Sequence, residues 1–223
     1  MKTFRLGVDS QVPFEFLPGQ FIILAFEIFD RAKGRSVRKN RAFSISSSPM
    51  EKNYLEITVK KTGRISTYMH EVVKEKDLLT IKNRSGEFYF QEGFSDELVL
   101  IAGGTGIAPL MSMVRNISQR KLPVKITLLY SNKTPGDIIF YKEIQALESS
   151  HSNFRCIHTI TRPEGYNWRG PTGRINQELL EQNVSNKQAL FYICGPKAMI
   201  QATAEFLKGL GVHPSRIKIE KWD

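Results

Sequence analysis

Several short stretches of this chain combine residue types that hold phosphates and flat rings. In Arg41-Ala42-Phe43-Ser44 a guanidinium can pair bidentately with a phosphate, an aromatic ring can lie against a planar heterocycle, and a hydroxyl can hydrogen-bond beside it. Gly63-x-x-Ser66, followed by Thr67, offers a second anion cradle of backbone N–H groups and hydroxyls at a helix start. Gly103-Gly104-Thr105-Gly106 is a third, because free amides and the positive dipole end at a helix N-terminus attract a pyrophosphate. Pro109 stands where the dinucleotide fingerprint G-x-G-x-x-G has its last glycine, so this turn alone is equally a structural feature. Cys194-Gly195-Pro196 closes an apolar run at the edge where open α/β sheets bind ligands; a buried core cysteine is the bland alternative.

The elements that must carry these residues are legible from periodicity. Phe4, Leu6 and Val8 alternate with polar positions, as do Leu55, Ile57 and Val59, with Glu56 and Thr58 on the outward face. Residues 20–26, 78–81 and 88–90 supply further short strands, and residues 29–41, rich in Arg and Lys, read as a solvated basic loop. Many short strands divided by turns imply an antiparallel barrel. From residue 98 the rhythm becomes strand then helix. Strands at 98–102, 124–130, 154–160, 189–193 and 216–220 alternate with helices around Leu110, Ile144, Leu179 and Phe206. The last helix places Met199, Ala202, Phe206 and Leu210 on one face. The expectation is a β domain at residues 1–95 and a doubly wound, parallel, five-stranded α/β domain at 96–223.

Composition bounds the partners. The 223 residues are 41% hydrophobic and carry a formal charge of +10, which suits an acidic protein, a nucleic acid, an anionic membrane surface or a phosphorylated cofactor. Two distant cysteines, Cys156 and Cys194, argue against a disulfide framework or a zinc site, and neither an apolar leader nor a membrane-length run is present, so a cytoplasmic location is expected. His70, His151, His158 and His213 are scattered, and none is assigned a catalytic role.

Two phosphate cradles in the β half and one in the α/β half imply two dinucleotides, with a flavin on the aromatic platform. The ordered set PGQF (18–21), RAFSISSSP (41–49), GRIST (63–67), GGTGIAP (103–109) and CGPKAM (194–199) resembles the ferredoxin:NADP reductase superfamily over nearly the whole chain. That resemblance implies a six-stranded FAD-binding barrel and an NAD(P)-binding sheet. An FAD-dependent reductase would pass a hydride between NAD(P)H and FAD, then single electrons to a ferredoxin, a flavodoxin or an oxygenase component. By similarity Arg41 binds the FAD phosphates, Phe43 packs on the flavin, Ser44 lies near flavin N5, and Ser66 holds the pyrophosphate. Further cofactor contacts are implied at Ala42, Thr58, Val59, Lys60, Gly63, Arg64, Ile65 and Thr67, and across Gly103, Gly104, Thr105, Gly106 and Ile107. Gly195, Pro196 and Met199 are implied beside Cys194 on the nicotinamide side. The catalytic set is Ser44, Cys194, Glu220 and Trp222, the last two resembling an acidic-x-aromatic ending. The end of the second parallel strand, Ser131-Asn132-Lys133, lacks an acid for a ribose 2′-OH; Lys133 and Arg162 can instead meet a 2′-phosphate, so NADP(H) is favoured over NAD(H).

The family's first barrel strand precedes the position of Phe4, so its counterpart is expected to be missing, and Phe43 replaces a common tyrosine. There is no cysteine cluster for an iron–sulfur centre, so such an acceptor would be another chain or domain. Two other readings remain at this stage: an FAD-holding relay subunit of a larger complex, and a basic nucleic-acid-binding module, which lacks a recognised motif.

Overall fold

A computed structural model describes residues 1–8, 14–30 and 34–221. Arg31, Lys33 and Trp222 therefore lie outside the described residues. The first half is antiparallel: β1 (Lys2–Gly7) pairs with β4 (Tyr54–Val59), and β2 (Phe21–Asp30) is flanked by β3 (Arg35–Ser44) and β5 (Thr80–Ser85). An Ile45↔Ile57 bridge links the two sheets, and α1 (Arg64–Glu71) follows β4. Ile22, Leu24, Ile45, Leu55, Ile57 and Met69 fill the core between them.

The second half is a parallel sheet in the order β10-β9-β6-β7-β8. Its strands are β6 (Glu97–Gly103), β7 (Lys125–Asn132), β8 (Phe154–Ile160), β9 (Leu190–Gly195) and β10 (Ile217–Lys221), connected through α2 (Ile107–Gln119), α3 (Tyr141–Ser150), α4 (Gln177–Asn183) and α5 (Lys197–Gly209). Strands β6 and β9 are buried throughout or nearly so, as continuous apolar runs covered on both faces must be. The strand order reverses between β6 and β9, so the switch point lies at the turns that leave Gly103 and Gly195.

Four local expectations change. The basic segment is not a loop: residues 35–44 form an edge strand paired along its whole length with β2, and Arg35, Arg38, Lys39 and Arg41 on it are exposed. Residues 88–90 are not a strand. Phe88 and Phe90 are buried in the core of the parallel half, Phe88 edge-on to Tyr192, whose hydroxyl donates to the Tyr89 carbonyl at 2.7 Å. The described β half thus has five strands in two sheets rather than six. Glu56 and Thr58 are buried, because β4 is covered on both faces. In α5 the buried face is Ile200, Thr203, Ala204 and Leu207, with Ala202 exposed.

The PGQF stretch is a joint between the halves. Gly19, at φ +108°, leaves no room for a side chain: a Cβ would sit 2.4 Å from the Phe88 carbonyl oxygen and 2.5 Å from Met113 Cε. Gln20 fixes the turn by accepting from the Leu17 amide (2.9 Å) and donating to the Gly86 carbonyl (3.1 Å).

Candidate functional site

A cavity of about 520 Å³ opens between the two halves. Residues 39–44 at the end of β3 form one wall, Thr58, Val59 and Lys60 at the end of β4 another, and Thr62, Gly63, Arg64, Ile65 and Ser66 a third. Thr105 and Ala108, from the turn and helix after β6, complete it. Arg41, Ala42, Phe43, Ser44, Thr58, Val59, Lys60, Gly63, Arg64, Ile65, Ser66 and Thr105 are thereby brought to one volume. Thr67 and Ile107 stand off it: the Thr67 amide donates to the Gly63 carbonyl at 2.8 Å, and Ile107 is in the core.

The chemistry of this lining suits a phosphorylated ligand with a flat ring. Lys39, Arg41, Lys60 and Arg64 bring positive charge, and Phe43, half-buried, is held edge-on by Phe26 at 6.4 Å. Phe26 is held in turn by Tyr68 of α1 at 6.1 Å. Ser44 ends β3 opposite Phe21 and is buried. The Ser66 hydroxyl accepts from the Thr62 and Gly63 amides at 2.9 Å and donates to the Gly63 carbonyl at 2.9 Å. Its polar capacity is spent on shaping the turn that starts α1.

At the switch point the two glycine turns close on each other. A Cβ on Gly106 would lie 2.1 Å from the Cys194 carbonyl oxygen; one on Gly103 would meet Met199 Sδ at 2.7 Å and Pro196 Cδ at 2.8 Å; one on Gly195 would meet Met199 Cε at 2.7 Å. Gly104 differs, with φ +53° and open space around it. Gly103, Gly106 and Gly195 therefore serve backbone packing, and Gly104 leaves the amide row accessible. Tyr130 tethers this turn: its hydroxyl donates to the Gly104 carbonyl at 2.9 Å and accepts from the Ile139 amide at 3.3 Å, and burial pushes its phenol pKa up. Cys194 is fully buried in the core on the α2 side of the sheet.

Glu220 pairs in register with Cys194 across β9 and β10, half-buried, and burial raises its carboxyl pKa. At the end of β7, Ser131 stands opposite Gly103. The Arg162 amide donates to the Lys133 carbonyl at 2.8 Å, so these two exposed cations occupy neighbouring positions. The Asn132 side chain is buried at the same strand end, where its interaction with the Tyr130 hydroxyl works against the rise that burial imposes on the phenol.

The sequence reading missed one further cluster. Arg115, the only charged residue of α2, donates from Nη1 to the Ser46 carbonyl (2.7 Å) and Glu56 Oε1 (2.6 Å), and from Nε and Nη2 to the two Glu143 oxygens (2.6 Å each), with the Phe140 ring 4.7 Å away. Ser46 Oγ donates to Glu56 Oε1 at 3.0 Å. Burial works to raise the Glu56 carboxyl, but Arg115, Ser46 and Arg5 outweigh it and hold it below the ordinary range. The available signal was a lone arginine inside an otherwise uncharged helix.

Among the described residues no helix is long and apolar enough to cross a membrane. Residues 1–90 match the oxidoreductase FAD-binding domain and residues 100–205 the oxidoreductase NAD-binding domain. The chain is similar, at 32% identity over its full length, to the glycine betaine monooxygenase reductase subunit of Chromohalobacter salexigens, of which it spans 60%. It therefore covers about three fifths of such a relative. The flavohem-like FAD/NAD binding domain of nitric oxide dioxygenase from Vibrio cholerae shares the fold, with a TM-score of 0.86 at 23% identity over 99% of this chain and 91% of that one. A ferredoxin NADP+ reductase from Neisseria gonorrhoeae, solved with bound FAD and NADP, superposes with a TM-score of 0.76 at 26% identity, covering 98% of this chain and 91% of the other. An antiparallel FAD-binding half, a parallel NAD-binding half and a shared cavity at their seam place this chain in the ferredoxin reductase family.

Proposed function

We propose that the chain is an FAD-dependent NAD(P)H oxidoreductase that holds its flavin in the cavity between the halves. The supporting observation is that Ser44 from the antiparallel half and Thr105 from the parallel half line one cavity. When bound, a flavin takes a hydride from a nicotinamide and gives up the two electrons singly, which links a two-electron donor to a one-electron acceptor. The protein's share is placement. Arg41, with Lys39 and Lys60 beside it, neutralises the FAD phosphates, and the amides at the start of α1, in a turn shaped by Ser66, complete that cradle. Phe43 supports the ring, and Ser44 presents a hydroxyl at its reacting edge. The turn of Gly103, Gly104, Thr105 and Gly106 takes the nicotinamide dinucleotide's pyrophosphate, while Glu220 and Trp222 serve the nicotinamide side. Cys194, with its side chain in the core, serves through its backbone, which seats Gly106. Residues 1–95 carry the flavin site and residues 96–223 the nicotinamide site.

NADP(H) is the preferred nucleotide in this reading. Lys133 and Arg162, exposed and side by side at the end of β7, meet a 2′-phosphate. The acceptor is an acidic one-electron carrier, a ferredoxin or flavodoxin, or an oxygenase component, steered by the charge of +10; nucleic acid is not a partner, and the location is cytoplasmic.

Absorbance of the purified protein tests the proposal. Flavin bands that bleach anaerobically with NADPH, and at least tenfold more slowly with equimolar NADH, are expected. A colourless protein that takes up no added FAD overturns the function. Equal rates with both nucleotides overturn the preference alone.

A further inference from the structure

We propose that Arg115 is a positioning residue that fixes how far the Ser44 strand end stands from the Gly103–Gly106 turn. This rests on the function proposed above. Arg115 does not line the cavity. Ala108, on the cavity wall, and Arg115 are both on α2, seven residues or about 10 Å apart along the axis. Ser44, on the facing wall, is two residues from Ser46, whose carbonyl accepts from Arg115 at 2.7 Å. One guanidinium therefore joins the helix that starts at the glycine turn to the strand end that carries Ser44. A second bond runs parallel to it: Ser112, one turn earlier on α2, donates from Oγ to the Ser47 carbonyl at 2.7 Å.

The geometry is that of a jig more than of a glue. Replacing buried ion pairs by apolar groups of similar size often leaves stability unchanged, so the pairs with Glu56 and Glu143 are weak evidence for a stabilising role. What a forked guanidinium adds is direction. Nη1 is committed to the β-half acceptors Ser46 and Glu56, while Nε and Nη2 are committed bidentately to Glu143 of α3, and the Phe140 ring covers the guanidinium. Hydride transfer needs its two atoms held to within a fraction of an ångström, and a 1 Å misplacement far from the chemistry can cost roughly 100-fold.

The test uses Arg115→Lys and the double variant Arg115→Met with Glu56→Gln, which leaves no unpaired buried charge on β4. Each protein as purified is compared with the wild type for FAD content, Tm, anaerobic flavin bleaching by NADPH, and backbone hydrogen exchange. Both variants should retain FAD and bind NADPH within about threefold of wild type, yet bleach roughly 10- to 100-fold more slowly. Lysine keeps the charge without the fork, so Arg115→Lys should keep the wild-type Tm while losing rate. Exchange should quicken in the double variant at the amides of residues 46–56 relative to β8. Bleaching within twofold of wild type, or exchange unchanged around residues 46–56, overturns the proposal. If the wild type binds no flavin, the proposed function fails, and the exchange comparison still decides whether Arg115 couples the halves.

Discussion

Gly106→Ala should disable the nicotinamide side while leaving the flavin in place. Gly106 has ordinary helical dihedrals, φ −61° and ψ −10°, so alanine meets no backbone objection there. The objection is space. The new Cβ would lie 2.1 Å from the Cys194 carbonyl oxygen, 2.4 Å from its carbon and 2.8 Å from the Gly195 nitrogen, all backbone atoms of β9 that cannot swing aside. Ordinary contact begins at 3.4 Å, so the turn after β6 must move more than 1 Å away from β9. Overpacking of this kind costs about 1–3 kcal/mol, and displacement of a substrate-positioning turn by that amount lowers the rate roughly 100-fold. Gly104→Ala is the internal control. Its Cβ meets nothing within 4 Å, but its φ of +53° imposes about 1–2 kcal/mol of left-handed strain. Stopped-flow bleaching by NADPH, measured with FAD content and Tm, should therefore show Gly106→Ala far slower at full FAD occupancy. Gly104→Ala should lose stability with a smaller change in rate. Equal bleaching rates for wild type and Gly106→Ala would refute the view that contact between the two turns seats the nucleotide.

Two titratable groups give further outcomes. Burial among Tyr130, Tyr141 and Trp168 lowers His158 to about 4 from an unfolded value near 6.5, so the unfolded chain binds the extra proton first. Stability is then full above pH 6.5 and falls by about 2–3 kcal/mol as pH drops towards 4; His158→Phe should flatten that limb of a denaturation profile, and an unchanged slope tells against it. Glu220 titrates upward through burial, so its ionised form at neutral pH opposes folding. Glu220→Gln should match or exceed the wild-type Tm while slowing hydride transfer about tenfold or more, and Ser44→Ala should slow it with FAD retained. An unchanged rate in either variant removes that residue from the site.

The parallel half was legible because its signals are redundant: runs such as 98–102 are apolar throughout, each ends in a turn residue, and helical spacing follows. The β half was legible only where one face is apolar and the other polar. Residues 35–41 carry almost no hydrophobic pattern, since nearly all of that stretch of the edge strand is exposed, and its pairing with β2 resides in the backbone. Glu56 failed the alternation rule for the opposite reason. It looks outward by period and is instead buried against a charge supplied by Arg115, 59 residues later in the chain. The cavity lining was readable because each cradle is local in sequence. The bonds that set the cradles in relation to one another join residues far apart, and pattern along the chain does not record them.

The packing boundary between the halves also departs from the boundary at residues 95 and 96, and the difference can be measured. Phe88 and Phe90 precede that point yet belong to the core of the parallel half, with Tyr192, Met113 and Leu110. Phe90 also donates its amide to the Pro18 carbonyl at 3.0 Å, which carries the connection back into the β half. Burying each phenylalanine is worth about 2–3 kcal/mol, so a fragment of residues 97–223 forfeits roughly 4–6 kcal/mol that a fragment of residues 87–223 keeps. That is comparable to the whole stability of many domains. Residues 87–223 should unfold cooperatively in urea with a near-native amide spectrum, while residues 97–223 should be molten or insoluble. Equal midpoints for the two fragments would mean that the aromatic segment merely rests on the sheet. A shared core would explain how two halves joined by one chain crossing hold a cavity between them: the segment that leaves the antiparallel half is itself part of the core of the parallel half.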